Sequence, residues 1–184
     1  LAEQGQTESG FQSFLKAVTD AVNVANAAYQ REGGLAGIAT DLMDMDKMLG
    51  GLHKSDLLIL AGRPSMGKTS LATNIAYNVA KAYKRGKLQD GSEGALDGGV
   101  VGFFSLEMSA EQLAGRILAE ASEISSHKIR QGDMDETEFR RFVDAAKELE
   151  ACPLFIDDTA AIPIAQLAAR ACRLKRTHGL DLLI

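Results

Sequence analysis

Apolar residues return every three or four positions from Phe11 to Tyr29: Phe11, Phe14, Leu15, Val18, Val22, Ala25 and Tyr29. That spacing predicts one amphipathic helix. The ten residues before it, LAEQGQTESG, are polar and read as a flexible start. Gly33 and Gly34 close the helix, since glycine takes the positive φ that a helix end requires. Two readings of the apolar stripe stand side by side: it packs on its own domain, or it docks on another chain.

The pattern then changes to short apolar runs separated by amphipathic stretches. DLLILA (56–61), VVGFFS (100–105) and PLFID (153–157) are continuous runs of the kind buried on both faces of a parallel sheet. A helix from Lys68 to Tyr83 follows the first. After the second, Ser109 and Gln112 form a capping box, with Met108 stapling onto Leu113. ISSHKIRQG reads as a short helix and turn. Asp135 and Glu138 make another capping box, with Met134 against Phe139, and open a helix whose stripe is Phe139, Phe142, Val143, Ala146 and Leu149. Pro163 suits the first turn of the last helix, whose apolar face is Ile164, Leu167, Ala171 and Leu174. Lys84 to Gly99 holds five glycines without periodicity and reads as a mobile surface loop. Strands alternating with helices predict an α/β fold, a mostly parallel sheet flanked by helices and preceded by a separate helix.

Gly179 ends the last helix, and Leu180 to Ile184 opens a further apolar run. A chain that stops inside such a run, and starts at Leu1, is expected to be cut at both ends, with its last domain incomplete.

At 184 residues the chain has the length of one domain, on a prior of roughly 100–200 residues each. The net charge of -5 argues against a surface that grips nucleic acid all over, and leaves a locally basic channel open. Cys152 and Cys172 lie too far apart for a CxxC motif, so reduced cytosolic thiols are expected. No apolar run reaches the roughly 18 residues of a membrane span, and no signal-peptide pattern opens the chain. His53, His127 and His178 lack metal-ligand spacing and read as surface residues.

GRPSMGKTS changes the picture. It fits G-x-x-x-x-G-K-[ST] through Gly62, Gly67, Lys68 and Thr69, and it stands after a predicted strand and before a predicted helix. The glycines let backbone N–H groups of Gly62, Arg63, Pro64, Ser65, Met66, Gly67, Lys68, Thr69 and Ser70 (all but Pro64, which has none and stiffens the loop) turn toward a phosphate chain. The helix N-terminus adds partial positive charge. Lys68 would meet the β- and γ-phosphates, and the Thr69 hydroxyl would serve Mg²⁺. No Asn-Lys-x-Asp follows to read guanine, which favours an adenine nucleotide, ATP.

FFSLEMS places Glu107 just past the second strand, at the end of the sheet where ligands bind. A carboxylate there can orient and deprotonate a water attacking a γ-phosphate; it can also be a solvated acid near a helix start. Asp157 and Asp158 end the third strand and either assist metal or water, or cap a turn; capping is the favoured reading. Arg170, Arg173, Lys175 and Arg176 make the last helix basic, which reads as a solvated face in preference to a DNA contact.

GRPSMGKTS, then FFSLEMS, then FIDDT resembles the RecA-like ATPase domain of DnaB-type replicative DNA helicases. The resemblance runs from about Thr40 to Ile184 and includes the lead-in TDLMDMDKMLGGLHKSDLLILA. It implies a RecA-like P-loop NTPase core and a homohexameric ring that moves along single-stranded DNA and separates strands at a replication fork, 5′ to 3′. By the same resemblance Lys68 and Thr69 hold the phosphates and Mg²⁺, Glu107 is the catalytic glutamate, and primase and a helicase loader are partners. The Phe11–Tyr29 helix is similar to the family's linker helix, which packs on the neighbouring subunit and so favours the interchain reading. Residues 1–34 then form a flexible start and linker, and 35–184 the N-terminal portion of the ATPase domain. The family's Walker B aspartate, DNA loops and arginine finger are expected beyond Ile184; Asp181 is no substitute, since it precedes the apolar run. The piece alone is expected to be nearly inactive.

Two rivals remain at this point. One is a RecA-superfamily ATPase of recombinase or clock type that does not unwind DNA. The other is a nucleotide-binding interaction module without turnover.

Overall fold

The computed structural model describes residues 13–29, 35–87, 91 and 93–184. Phe11, the predicted start of the first helix, and Gly33 and Gly34, predicted to close it, lie outside the described residues. Packing divides the chain into two units, 1–36 and 37–184.

The first unit carries α1 (Phe14–Tyr29). Its apolar side chains Phe14, Leu15, Val18 and Val22 are all exposed, Phe14 at 83%.

The second unit begins with a closed lead-in. Ile38 and Leu52 pair as an antiparallel bridge, and Gly37 and Gly51 cross at the base. A Cβ on Gly37 would come 2.6 Å from the backbone of Leu52, so the crossing tolerates no side chain there. Between them lies α2 (Met43–Leu49), ended by Gly50 at φ 70°. The buried Asp46 carboxylate closes this loop. It accepts from the Thr40 amide (2.9 Å), the Thr40 hydroxyl (2.7 Å) and the Asp41 amide (3.1 Å). Asn78 Nδ2 donates to the Thr40 carbonyl at 2.9 Å, tying the loop to the next helix.

That helix, α3 (Lys68–Lys81), buries Thr73, Ile75, Ala76, Tyr77, Val79 and Ala80. It is followed by β1 (Lys84–Lys87) and β2 (Glu93–Asp97), then β3 (Val101–Phe104), α4 (Ala110–Ser122), α5 (Ser126–Gln131), α6 (Glu136–Glu150), β4 (Leu154–Asp157), α7 (Ile164–Thr177) and β5 (Leu182–Leu183). β3 is the central strand of a parallel sheet ordered β4-β3-β5. Val101 pairs with Leu154 on one side and with Leu182 on the other. The core joins Leu52, α3, β3 and Leu113 of α4; Val101 and Val79 are fully buried.

Both predicted capping boxes form. Ser109 Oγ accepts from the Gln112 amide, and Asp135 Oδ1 accepts from the Glu138 amide at 2.7 Å. Each such cap is worth about 1 kcal/mol. The stripe of α6 turns inward through Phe142, Val143, Ala145 and Leu149, with Ala145 the most buried, while Phe139 is exposed.

Two expectations are corrected. Residues 84–99 are not a structureless loop: β1 and β2 form an antiparallel hairpin, with Lys84–Asp97 and Arg85–Glu93 ion pairs across it. Gly86 opposite Gly94 hid the strand signal, because glycine carries no side chain to show alternation. Residues 56–61, predicted as a buried strand, form no strand among the described residues. Their exposure alternates as in an extended chain, with Leu57 at 86% and Ile59 at 81% against Leu58 at 50% and Leu60 at 48%. A strand exists only through its ladder, and the two residues of β5 direct their pairing to β3.

Candidate functional site

The loop from Gly62 to Gly67 joins the extended run to α3. Met66 N donates to the Arg63 carbonyl at 3.3 Å, making the turn. Ser65 holds φ 64°, a left-handed conformation that costs a non-glycine residue about 1 kcal/mol. Gly67 sits at φ 83° as the N-cap of α3, with open space where its Cβ would be, so glycine is required there by conformation and not by crowding.

Gly67 supplies no side-chain cap, and the first turn of α3 contains no acidic residue. The first intrahelical bond is Leu71 N to the Gly67 carbonyl, 2.9 Å. The amides ahead of it are the orphan donors of a helix start, with the positive end of the helix dipole behind them. Such a helix start has the chemistry to receive an anion. Lys68 Nζ bends back over the loop and donates to the carbonyls of Gly62 (2.9 Å) and Arg63 (3.0 Å).

One open cleft of about 510 Å³ is lined by Pro64, Ser65, Gly67, Lys68, Thr69, Ser70, Glu107, Met108 and Arg116. The structure thus brings the P-loop and Glu107 together, although Glu107 follows Thr69 by 38 positions in the sequence. Gly62 and Arg63 contribute their carbonyls to Lys68 and do not line the cleft; Met66, 72% exposed, does not line it either. A triphosphate with a divalent cation fits the donor set: uncapped amides and an ammonium for the phosphates, the Thr69 hydroxyl for a cation, and a carboxylate across the cleft.

Glu107 owes its place to β3. The strand ends at Phe104, which pairs with Asp157 of β4, and the turn from Ser105 to Ser109 follows before α4. Leu106 and Glu107 are exposed at its tip, while Ser105 is 6% exposed beneath it. The Ser105 hydroxyl donates to the Met108 carbonyl (2.6 Å) and accepts from its amide (3.2 Å).

Asp157 and Asp158 both cap, and they do so differently. Asp157 accepts two bonds from Arg170 Nη1, at 2.9 and 2.6 Å, and one from the Thr159 amide, at 3.1 Å. The Arg170 guanidinium, helped by the Thr159 hydroxyl and amide, holds the Asp157 carboxyl below the usual carboxylate range. Asp158 Oδ2 accepts from the Ala110 amide at 2.9 Å, at the start of α4. Arg170 is therefore engaged within the fold, while Arg173, Lys175 and Arg176 lie on α7. Asp181 sits at the opposite end of the sheet, where its Oδ2 accepts from the Val100 amide. Cys152 and Cys172 are free thiols, and no group of three or more metal-ligating side chains occurs among the described residues. No helix among the described residues is long and apolar enough to cross a membrane.

Sequence reasoning missed Arg116. It lines this cleft and the two adjoining ones that run along α4 toward α5. Its signal was its place on α4: Gln112, Arg116 and Glu120 share one face at four-residue spacing.

Residues 37–184 match the family of the DnaB-like helicase C terminal domain. The chain is 40% identical over 183 residues to the replicative DNA helicase DnaB of Rickettsia conorii, covering all of this chain and 36% of that protein. It is 42% identical over 139 residues to the DnaB of a Synechocystis species, covering 76% of this chain and 14% of that protein. The replicative DNA helicase DnaC of Bacillus subtilis is 32% identical over 181 residues, covering 98% and 37%. The chain thus spans little more than a third of its Rickettsia relative. Among solved structures, one described as an ATPase domain superposes with a TM-score of 0.75 at 23% identity, covering 95% of this chain and 56% of that one. A DnaB-like replicative helicase, described with its interactions with primase, gives 0.74 at 22%, covering 95% and 38%. Those two likenesses establish a RecA-like α/β fold.

Proposed function

The chain belongs to the DnaB-like helicase C-terminal domain family, and on that premise we propose that it forms the nucleotide-binding part of an ATP-hydrolysing replicative DNA helicase. The observation that carries the reading is the shared cleft: the P-loop from Pro64 to Ser70 and Glu107 line one space.

The roles follow from the chemistry of each group. The amides of Ser65 to Ser70 and the Lys68 ammonium bind the β- and γ-phosphates of ATP. The Thr69 hydroxyl holds Mg²⁺, which offsets the charge of the phosphates when bound. Glu107 orients the attacking water and takes its proton, leaving a hydroxide-like nucleophile in line with the terminal phosphorus. Gly62, Arg63 and Met66 complete the turn that places these groups.

Residues 35–184 are then the first portion of a RecA-like ATPase domain, and α1 (Phe14–Tyr29) belongs to a linker; the start expected at residues 1–10 lies outside the described residues. The exposed stripe Phe14, Leu15, Val18 and Val22 on α1 supports a linker that docks on the neighbouring subunit of a homohexameric ring. Such a ring would travel on single-stranded DNA in the cytoplasm, 5′ to 3′, with primase and a helicase loader as partners. The net charge of -5 calls for a local DNA channel, not a generally basic surface.

Replacement of Lys68 by alanine in the full-length protein tests this. ATP turnover and unwinding of forked DNA should both fall by at least about 100-fold, the scale on which removal of a charge-stabilising group acts. Retained unwinding with ATP would refute the assignment.

A further inference from the structure

Glu107 sits at the exposed tip of a turn, and the catalytic reading asks that turn to hold one shape. Three attachments hold it. The Ser105 amide donates to the Asp157 carbonyl at 2.8 Å, fixing the turn's entry to the end of β4. The buried Ser105 hydroxyl bonds both the amide and the carbonyl of Met108, pinching the turn from within. The Ala110 amide, immediately past the N-cap Ser109, donates to Asp158 Oδ2 at 2.9 Å and fixes the turn's exit. Entry and exit are thus tied to consecutive residues of one strand end.

We infer that Asp158 is a positioning residue for Glu107, acting through its bond to the Ala110 amide. This rests on the reading of Glu107 as the group that orients water. The Ala110 amide is one of the orphan donors of α4, whose capping box already uses the Gln112 amide. A carboxylate on such an amide makes a charge-assisted bond at the positive end of a helix dipole. Asp158 is itself steadied from behind: Asp157 is gripped by Arg170, and the Thr159 amide donates back to Asp157. The chain Arg170–Asp157–Asp158–Ala110 therefore connects α7 to the turn that carries Glu107. Asp158 does not line the cleft, so its effect reaches the reaction only by placing another group. Misplacing a reacting group by about 1 Å costs on the order of 100-fold, and loss of one of three attachments is expected to cost about tenfold.

The experiment compares variants in the full-length protein by kcat, KM and ATP-analogue affinity. Asp158→Ala should lower kcat about tenfold with KM and affinity unchanged. Asp158→Asn keeps an acceptor oxygen and should stay within about twofold of the parent. Ala110→Pro removes the donor instead of the acceptor; proline is tolerated at the first helical position, and Ser109 already has the extended backbone (φ -70°, ψ 158°) that precedes proline. It should reproduce the loss, and the pair of changes should lose no more than either alone. In a Glu107→Gln background, Asp158→Ala should cost nothing further in single-turnover hydrolysis. The inference is overturned if Asp158→Ala leaves kcat unchanged, if Asp158→Asn falls as far as alanine, or if the loss persists in full beside Glu107→Gln. If Glu107→Gln itself hydrolyses ATP at the parent rate, the catalytic reading of Glu107 fails first and takes this inference with it.

Discussion

The Lys68 ammonium lies 2.9 Å from the Gly62 carbonyl, bent back across the loop that precedes it. The two carbonyls it engages, Gly62 and Arg63, hold the charge over the loop. Gripping a phosphate exchanges carbonyl partners for anionic oxygens, which make stronger bonds. Lys68→Arg keeps the charge but carries a planar fork too broad for this pair of carbonyls. We expect Lys68→Arg to lose at least about tenfold in ATP affinity, checked by titration with a fluorescent analogue; parent-like affinity would show that charge alone suffices.

Gly67 makes a separable prediction, because nothing lies within 4 Å of the Cβ it lacks, yet its φ is 83°. Gly67→Ala therefore meets no clash and suffers only backbone strain, about 1 kcal/mol. The mutant should fold, melt a few degrees lower, and bind nucleotide about tenfold more weakly as the loop relaxes. Unchanged affinity, measured alongside thermal melting, would place the phosphate elsewhere than this helix start.

Arg116 faces the cleft shared by Lys68 and Glu107 and makes no ion pair among the described residues. A cation so placed favours the more negative ligand. Arg116→Ala should weaken binding of a triphosphate analogue more than that of the diphosphate, and lower turnover by about tenfold or more. Equal effects on both nucleotides would count against a place beside the terminal phosphate.

The cleft shows how far a sequence carries and where it stops. The P-loop was legible because its pattern is local: glycines, lysine and threonine fall within nine consecutive residues. Glu107 was legible as a strand-end acid, since β3 is a compact apolar run with a clear end. Arg116 was not, because an arginine on the outer face of α4 has the pattern of any solvated residue until the turn after β3 brings that face to the P-loop. The capping boxes at Ser109 and Asp135 were readable from three-residue spacing alone. By contrast, the bond from Ala110 to Asp158 spans 48 residues, and only the pairing of β3 with β4 creates it. The hairpin at 84–97 escaped because its strands are charged and glycine-rich. The run at 56–61 misled for the opposite reason: composition indicates what a strand would bury, and only a neighbour supplies the ladder.

Asp46 anchors the lead-in to the P-loop helix through three accepted bonds, two of them from Thr40. Its removal leaves buried donors unmatched. Asp46→Ala should destabilise the domain by about 2–3 kcal/mol, visible as a lower urea midpoint with an unchanged slope. Asp46→Asn, which keeps one acceptor oxygen, should lose less. A neutral Asp46→Ala would mean that water replaces the carboxylate at no cost.

The Asp157–Arg170 contact sets a pH dependence whose sign is fixed by the direction of one shift. Arg170, then Thr159, lower the Asp157 pKa below its ordinary value of 3.8. A carboxyl that ionises more readily folded than unfolded binds fewer protons in the native state, so its stabilisation is present above about pH 4 and is lost as pH falls through the lower, folded pKa. The two side chains are 44% and 26% exposed, so solvent screening limits the pair to roughly 0.2–1 kcal/mol. Asp157→Asn should therefore be less stable than the parent by that amount at pH 7, and the gap should close as pH falls through the lowered, folded pKa of Asp157. Salt should narrow it at pH 7 as well, because a half-exposed pair is screened. Urea midpoints for both proteins across this range check the prediction, and a gap that widened toward acid would reverse its sign.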